Sequence, residues 1–200
     1  MKNKTNIPKL YKKFFVDKGD ERRSLFKKLS NRYFIKKGLY PGSFVHITPS
    51  FYIKEMVYVD FDKRMEKFFN DECILSYINE NKEYLEKSKI EYYQKDYASN
   101  LPLENSSFDI SFSFYSAAKG SGFISQKCKK YLKTGALLVC NNSHGDASIA
   151  AADSEYQLIG VIKYDYKEFS IIETNLEKYL KKKNNKPIDL KKVKKTLKGE

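Results

Sequence analysis

The stretch "EMVYVDFD", residues 55–62, sets how the chain is read, because four apolar or aromatic residues run unbroken into an aspartate. A short continuous apolar run of this kind fits a strand covered on both faces, as in parallel sheets. Working outward, similar runs occur at 38–45 (GLYPGSFV), 90–97 (IEYYQKDY), 108–116 (FDISFSFYS), 135–143 (GALLVCNNS), 156–164 (YQLIGVIKY) and 168–175 (EFSIIETN). Residues 62–88 separate the second and third runs, and there Met65, Phe68, Phe69, Ile74, Ile78 and Leu85 suit helix faces. Shorter helical segments follow the fourth run (GFISQKCKKYLK, 122–133) and the fifth (ASIAAADS, 147–154). Strands that alternate with helices predict an α/β fold with right-handed crossovers. The expectation is a Rossmann-like, mostly parallel seven-stranded sheet with helices on both faces and an antiparallel final strand.

Before the first strand, Leu25, Phe26, Leu29 and Phe34 recur at roughly helical spacing over 20–37, and Gly38 supplies a stop. The expected organisation is a basic N-terminal helical segment (1–35) packed on the core, a central domain (36–176) and a basic tail (177–200).

Charge follows that division. Residues 1–40 hold 13 Lys/Arg against 3 acids, residues 177–200 hold 10 against 3, and residues 41–176 hold 15 against 19, so the ends carry the formal net charge of +13. Lysine-rich ends make nucleic acid or another anionic partner an expectation; the plainer reading is a compositional bias of the sequence. No apolar run approaches the roughly 18 to 20 residues of a membrane span, and the first residues lack the apolar core of a secretory signal, so a cytoplasmic protein without membrane attachment is expected. Cys73, Cys128 and Cys140 are odd in number and widely spaced, which points to buried free thiols rather than disulfides or structural zinc. The two histidines, His46 and His144, lack metal-ligand spacing, and no metal is expected.

In doubly wound sheets, ligands sit beyond the carboxyl ends of the strands. Tyr40, Gly42 and Ser43 lie in the turn "LYPGSF" (39–44), whose single glycine speaks against a pyrophosphate-binding loop and hence against a nicotinamide or flavin enzyme. Asp60 closes the next strand 18 residues after Gly42, a spacing that fits an acidic residue receiving ribose hydroxyls. Asp62 can join it or cap the next helix. Asp96 and Tyr97 follow the third strand and can meet a base, or form an ordinary polar loop. Asp109 falls at the start of the fourth strand, away from the ligand end, which gives it a structural role. Tyr115 falls near the carboxyl end of that strand.

"NNSHGDASIAAAD", residues 141–153, gathers Asn141, Asn142, His144 and Asp146 after the fifth apolar run. His144, with an ordinary pKa near 6.5, is the titrating base of the stretch. The same residues also read as a tight turn in which Gly145 takes positive φ and Asp146 caps a helix. His46 can line the same pocket or be a hydrogen-bonded structural histidine.

Taken in order, "LYPGS", "VYVDFD", "KDY" and "FDISFSFYS" followed by "YLKTGALLV" resemble the class I S-adenosylmethionine-dependent methyltransferases over residues 36–175. Lys133, Thr134 and Gly135 stand where that family has its turn before the fifth strand. The resemblance implies S-adenosylmethionine as cofactor, held by Tyr40, Gly42, Ser43, Asp60, Asp62, Asp96 and Tyr97. Within it Gly42 offers backbone, Asp60 meets the ribose and Asp96 the adenine. It implies substrate contacts at Tyr115 and Asn142 and chemistry at His144, Asn141 and Asp146. The chain departs from the family in its single-glycine loop, in Pro49 within the following helix, and in lacking the "NPPY"-type signature of amino-group methyltransferases. A noncatalytic Rossmann-like module that contacts RNA or protein through its basic ends is the competing expectation.

Overall fold

The structure, a computed structural model, describes residues 6–114, 123–142, 145–166, 168–181, 186 and 189. Two compact units divide it, Met1–Val139 and Cys140–Glu200. In the first, β1 (Lys37–Pro41), β2 (Glu55–Asp60), β3 (Lys89–Gln94), β4 (Phe108–Ser113) and β5 (Leu132–Cys140) build a sheet of order β3-β2-β1-β4-β5. β1 is parallel to both β2 and β4, and β2 is parallel to β3. The order reverses between β1 and β4, which is the switch point of a Rossmann-like fold.

Strand alternation explains how both faces of this sheet are covered. Leu39, Val57 and Val59 point into one apolar cluster with Phe108, Ile124 and Tyr131. Their neighbours Tyr40 and Tyr58 face the other way, where Tyr40 packs 5.5 Å from Phe112, measured between ring centroids, and Tyr58 stacks on Phe69 at 5.1 Å. That second face is covered by α2 (Arg23–Arg32) through Phe26, whose ring meets Phe112 edge-on at 5.3 Å. A first helical turn, α1 (Lys9–Tyr11), widens into a π-helical turn over Lys12–Val16. These turns deliver Tyr11 and Phe15 to a further cluster with Ile47, Phe51 and Ile78.

The helix expected over 20–37 is shorter. It begins after Arg22, which takes φ 57, and ends before the extended Tyr33. Asp20 and Glu21 are held outside it by Arg22 and Arg23, at 2.8 and 3.0 Å. Phe34 therefore falls outside the helix and is 84% exposed. Between β2 and β3 lie α3 (Arg64–Phe69) and α4 (Glu72–Asn81), with Met65, Phe68, Ile74 and Ile78 buried as their spacing predicts. Leu85 lies beyond α4 and is exposed. A four-residue helix, α5 (Ile124–Lys127), precedes β5. Of the thiols expected to be buried, Cys128 is buried, Cys140 is half-buried and Cys73 is exposed.

The expected seven-stranded sheet is corrected to five strands plus a separate pair. In the second unit α6 (Asp146–Ala152) is followed by β6 (Val161–Tyr164) and β7 (Phe169–Ile172), which pair antiparallel with one another. The physical reason is local. Asp165 Oδ1 accepts from the Glu168 backbone N–H at 3.1 Å, and the Tyr164 and Phe169 rings stack at 4.7 Å, so the two four-residue strands close on each other as a hairpin. Among the described residues, no helix is long and apolar enough to cross a membrane.

Candidate functional site

Parallel register brings the carboxyl ends of three strands to one level, with Pro41 opposite Val59 and Asp60 opposite Gln94. The chain then turns away from β1 at Gly42, whose φ of 65° an L side chain rarely adopts. Its N–H donates to Val59 O at 2.8 Å, so the loop folds back over the end of β2. Ser43 is buried, and its hydroxyl donates to Phe44 O at 3.2 Å.

Asp60 organises this loop. Its Oδ2 accepts from the Phe44 N–H at 2.8 Å and its Oδ1 from the Asp62 N–H at 3.0 Å, which joins the turns after β1 and β2 through one carboxylate. A carboxylate offers about four lone-pair sites, and these two bonds use two. The side chain is half-buried. Phe44 itself sits at φ 48, an unusual value for an aromatic residue. Its ring meets Phe14 edge-on at 5.1 Å and lies 4.5 Å beneath the Arg64 guanidinium.

Asp62 is committed elsewhere. Arg64 holds it through Nε and Nη2 at 2.9 and 2.6 Å, and that guanidinium keeps the Asp62 carboxyl below the usual carboxylate range. Asp96 lies two residues beyond β3, and its Oδ1 accepts from the Ala98 N–H at 2.9 Å. Tyr97, expected over a base, has its ring in the core cluster with Leu39 and Val59 and is 3% exposed. Tyr40 is likewise a core side chain. Gly42, Ser43, Asp60, Asp62 and Asp96 are thus gathered around the ends of β1, β2 and β3, while the rings of Tyr40 and Tyr97 serve packing.

His46 is the structural histidine. Its Nε2 lies 3.1 Å from Glu21 O, and since a carbonyl only accepts, this nitrogen carries the proton. Nδ1 then accepts from the Tyr40 hydroxyl at 2.9 Å. Burial pushes the imidazole down to about 3, so the ring is neutral. Stacking on Phe15 at 4.3 Å completes its packing.

At the opposite end of the sheet, Asp109 has the structural role expected of it. Oδ2 accepts from the Lys36 and Lys37 N–H groups, both at 2.9 Å, and Oδ1 from Lys133 Nζ at 2.6 Å. Two hollows also lie away from the loop after β1. One of about 200 Å³ is lined by Phe34, Asp109 and Lys133, and one of about 310 Å³ by Ile74, Ile78 and Tyr92.

In the second unit, the polar stretch resolves partly into turn chemistry. Gly145 takes φ 84 and is itself the cap of α6, so Asp146 is the first helical residue rather than the cap. Asn142 Oδ1 accepts from the Ser148 backbone N–H and hydroxyl, both at 3.0 Å, which satisfies a donor of the first helical turn. Asn141 immediately precedes it in the chain. Burial pushes the Cys140 thiol up to about 12, with the Asp146 charge adding, which removes a thiolate nucleophile from this stretch. His144 and Tyr115 lie outside the described residues. Among those described, no group of three or more His, Cys, Asp or Glu could hold a metal.

Sequence reading missed Phe44, whose backbone N–H closes the Asp60 clamp, and Arg64, which occupies Asp62. The first leaves no side-chain signal, since the donor is backbone. The second was legible as an acid and a base two residues apart at a helix start.

No protein-family profile and no curated protein matches the chain. Among solved structures, a candidate S-adenosyl-L-methionine-dependent methyltransferase from Methanococcus maripaludis aligns with 68% of this chain and 64% of its own, at 18% identity and a TM-score of 0.46. The chain thus spans less than two thirds of that structure. A candidate methyltransferase from Bacillus halodurans aligns with 71% and 70%, at 16% identity and 0.42. The DhpI–SAM–HEP complex aligns with 84% and 76%, at 15% identity and 0.41. At such identities and TM-scores the likeness carries no argument about what this chain binds, which must be argued from its own loops.

Proposed function

We propose that the chain is a class I S-adenosylmethionine-dependent methyltransferase whose cofactor lies over the loop after β1. The observation that carries this reading is the Asp60 clamp. A carboxylate at the end of β2, beside the switch point, fixes the neighbouring loop through the Phe44 N–H at 2.8 Å and has lone pairs with no partner among the described residues. Ribose hydroxyls are donors of the kind those lone pairs accept. The donor set fits a nucleoside without a phosphate, because one glycine suffices where no pyrophosphate must approach the backbone.

The cofactor supplies an electrophilic methyl on a sulfonium, so the transfer breaks the S–CH₃ bond, forms an acceptor–CH₃ bond and leaves the thioether. The chain's part is positioning, which needs no nucleophilic triad. Asp60 orients the ribose, Gly42 and Ser43 offer backbone, and Asp96 receives the exocyclic amine. Where the acceptor carries a proton, His144 is the proposed base, Asn141 and Asp146 the further proposed catalytic residues, and Tyr115 and Asn142 the proposed substrate contacts. Nucleic acid is a proposed class of acceptor, on the charge of the chain ends.

A second reading, a noncatalytic module that contacts RNA or protein, is favoured by one observation. Phe44, packed between Phe14 and Arg64, occupies the loop where further glycines would let a ligand approach. Calorimetric titration with S-adenosylmethionine and S-adenosylhomocysteine separates the two. Binding near the micromolar range, about −8 kcal/mol, supports the enzyme; absence of heat and of thermal stabilisation by either ligand leaves the module.

A further inference from the structure

Three features meet at the amino-terminal end of the sheet, the end opposite the Asp60 loop. The segment 33–37, which leads into β1, holds Lys36 and Lys37 and no acid. Lys36 and Lys37 join no ion pair among the described residues; Lys36 is exposed, and the half-buried Lys37 has its ammonium 4.7 Å from the Phe108 ring centroid. The hollow beside them has one carboxylate, Asp109, and Lys133 neutralises it at 2.6 Å. Phe34 presents its ring to solvent with the Lys36 ammonium 5.0 Å from its centroid. One exposed aromatic residue alone would need no explanation. Here it stands at the mouth of a hollow of about 200 Å³, below the roughly 300 Å³ where drug-sized ligand pockets begin, which suits a single planar ring.

We propose that this surface binds single-stranded nucleic acid, with a base stacked on Phe34 and the backbone phosphates met by Lys36 and Lys37. Stacking on an aromatic face beside a cationic track is the chemistry that holds single strands without reading sequence. The platform is preorganised. Asp109 fixes the Lys36 and Lys37 backbones through two bonds of 2.9 Å, so the segment that carries Phe34 and both ammonium groups is ordered before a ligand arrives. The inference does not depend on a methyl donor, since the Asp60 loop lies at the other end of the strands.

Fluorescence anisotropy of the full chain with a labelled oligouridylate tests it. Wild type binds at low salt, and Phe34→Ala weakens binding roughly 5- to 100-fold with an unchanged melting temperature, whereas Phe34→Tyr retains affinity. Lys36→Glu with Lys37→Glu lowers the slope of log affinity against log salt by about 0.7 for each phosphate that is no longer neutralised. Absence of binding by wild type, or equal binding by Phe34→Ala, overturns the proposal. So does polyglutamate that displaces the RNA equally from wild type and Phe34→Ala, an outcome that makes the surface a site for acidic peptides. Titration with S-adenosylmethionine on the same variants keeps the two proposals apart: its failure in wild type removes the methyltransferase and leaves this surface standing.

Discussion

Asp60 and Asp109 sit on the two strands that flank β1, and each ties down one end of it. Asp109 receives the N–H groups of Lys36 and Lys37 where β1 begins, and Asp60 receives that of Phe44 just after it ends. The difference lies in what else each carboxylate meets. Lys133 closes Asp109 with an ion pair, while among the described residues Asp60 takes only one further backbone donor, from Asp62. The same device therefore gives a finished structural joint at one end and an acceptor with spare capacity at the other. That spare capacity, at the carboxyl end of the strands, is what the proposed nucleoside site draws on.

The largest expected effect breaks the comparison at its functional end. Charge-assisted hydrogen bonds contribute about 1.5 to 3 kcal/mol, so Asp60→Ala lowers S-adenosylmethionine affinity roughly 10- to 150-fold, read by calorimetry. Asp60→Asn, which keeps one acceptor oxygen, recovers part of that loss. Unchanged affinity in Asp60→Ala would remove the ribose role.

Asp109→Ala breaks the other end. It frees two backbone donors and strands Lys133, so stability falls by about 2 to 3 kcal/mol in urea titration while cofactor affinity stays constant. The pH dependence follows. Burial favours the neutral acid, but Lys133 and the two backbone donors outweigh it and hold Asp109 below the ordinary carboxylate range. Its contribution is complete above the unfolded pKa of about 3.9 and is lost as pH falls through the lower folded value.

His46 sharpens the contrast, because it titrates in a different window. Burial lowers its folded pKa to about 3, and the unfolded chain binds its proton near 6.5. The unfolded state thus takes up protons first. The stability present above about 6.5 falls by about 1.4 kcal/mol per pH unit until the folded value is reached, or about 2 kcal/mol at pH 5. Urea midpoints from neutral pH to pH 5 measure this, and His46→Gln flattens the profile there without touching the Asp109 window. A slope that persists in His46→Gln would assign the transition to another group.

What the sequence disclosed follows from range. The five core strands along the chain, the turn at Gly42, the place of Asp60 at the end of β2 and the structural place of Asp109 were legible because each rests on spacing along the chain or on a strand end. Tyr40, Tyr97 and His46 were harder. Each sits beside polar loop residues, and only tertiary contacts decide that the rings of Tyr40 and Tyr97 turn into the core or that Glu21 O receives the His46 proton. The missing two strands of the sheet have a local cause, since β6 and β7 satisfy each other across a short turn. Phe44 left no trace, because its part is played by a backbone N–H at a φ that its side chain does not announce.

The smallest effect concerns Asn142, which repeats the aspartate device with a neutral acceptor. Its Oδ1 receives the Ser148 N–H and hydroxyl, so Asn142→Ala removes a bond at the start of α6 worth about 1 kcal/mol. Asn142→Asp retains the acceptor and gains from the positive end of the helix. If the residue serves only the turn, Ala lowers the melting temperature by a few degrees, Asp restores it, and neither changes turnover once an acceptor is in hand. If it also touches substrate, KM rises in both variants, because the amide N–H₂ donors are absent from each. Stability and KM respond to different halves of one side chain, the oxygen and the nitrogen, so the pair of substitutions separates capping from recognition in a stretch where sequence alone left both readings open.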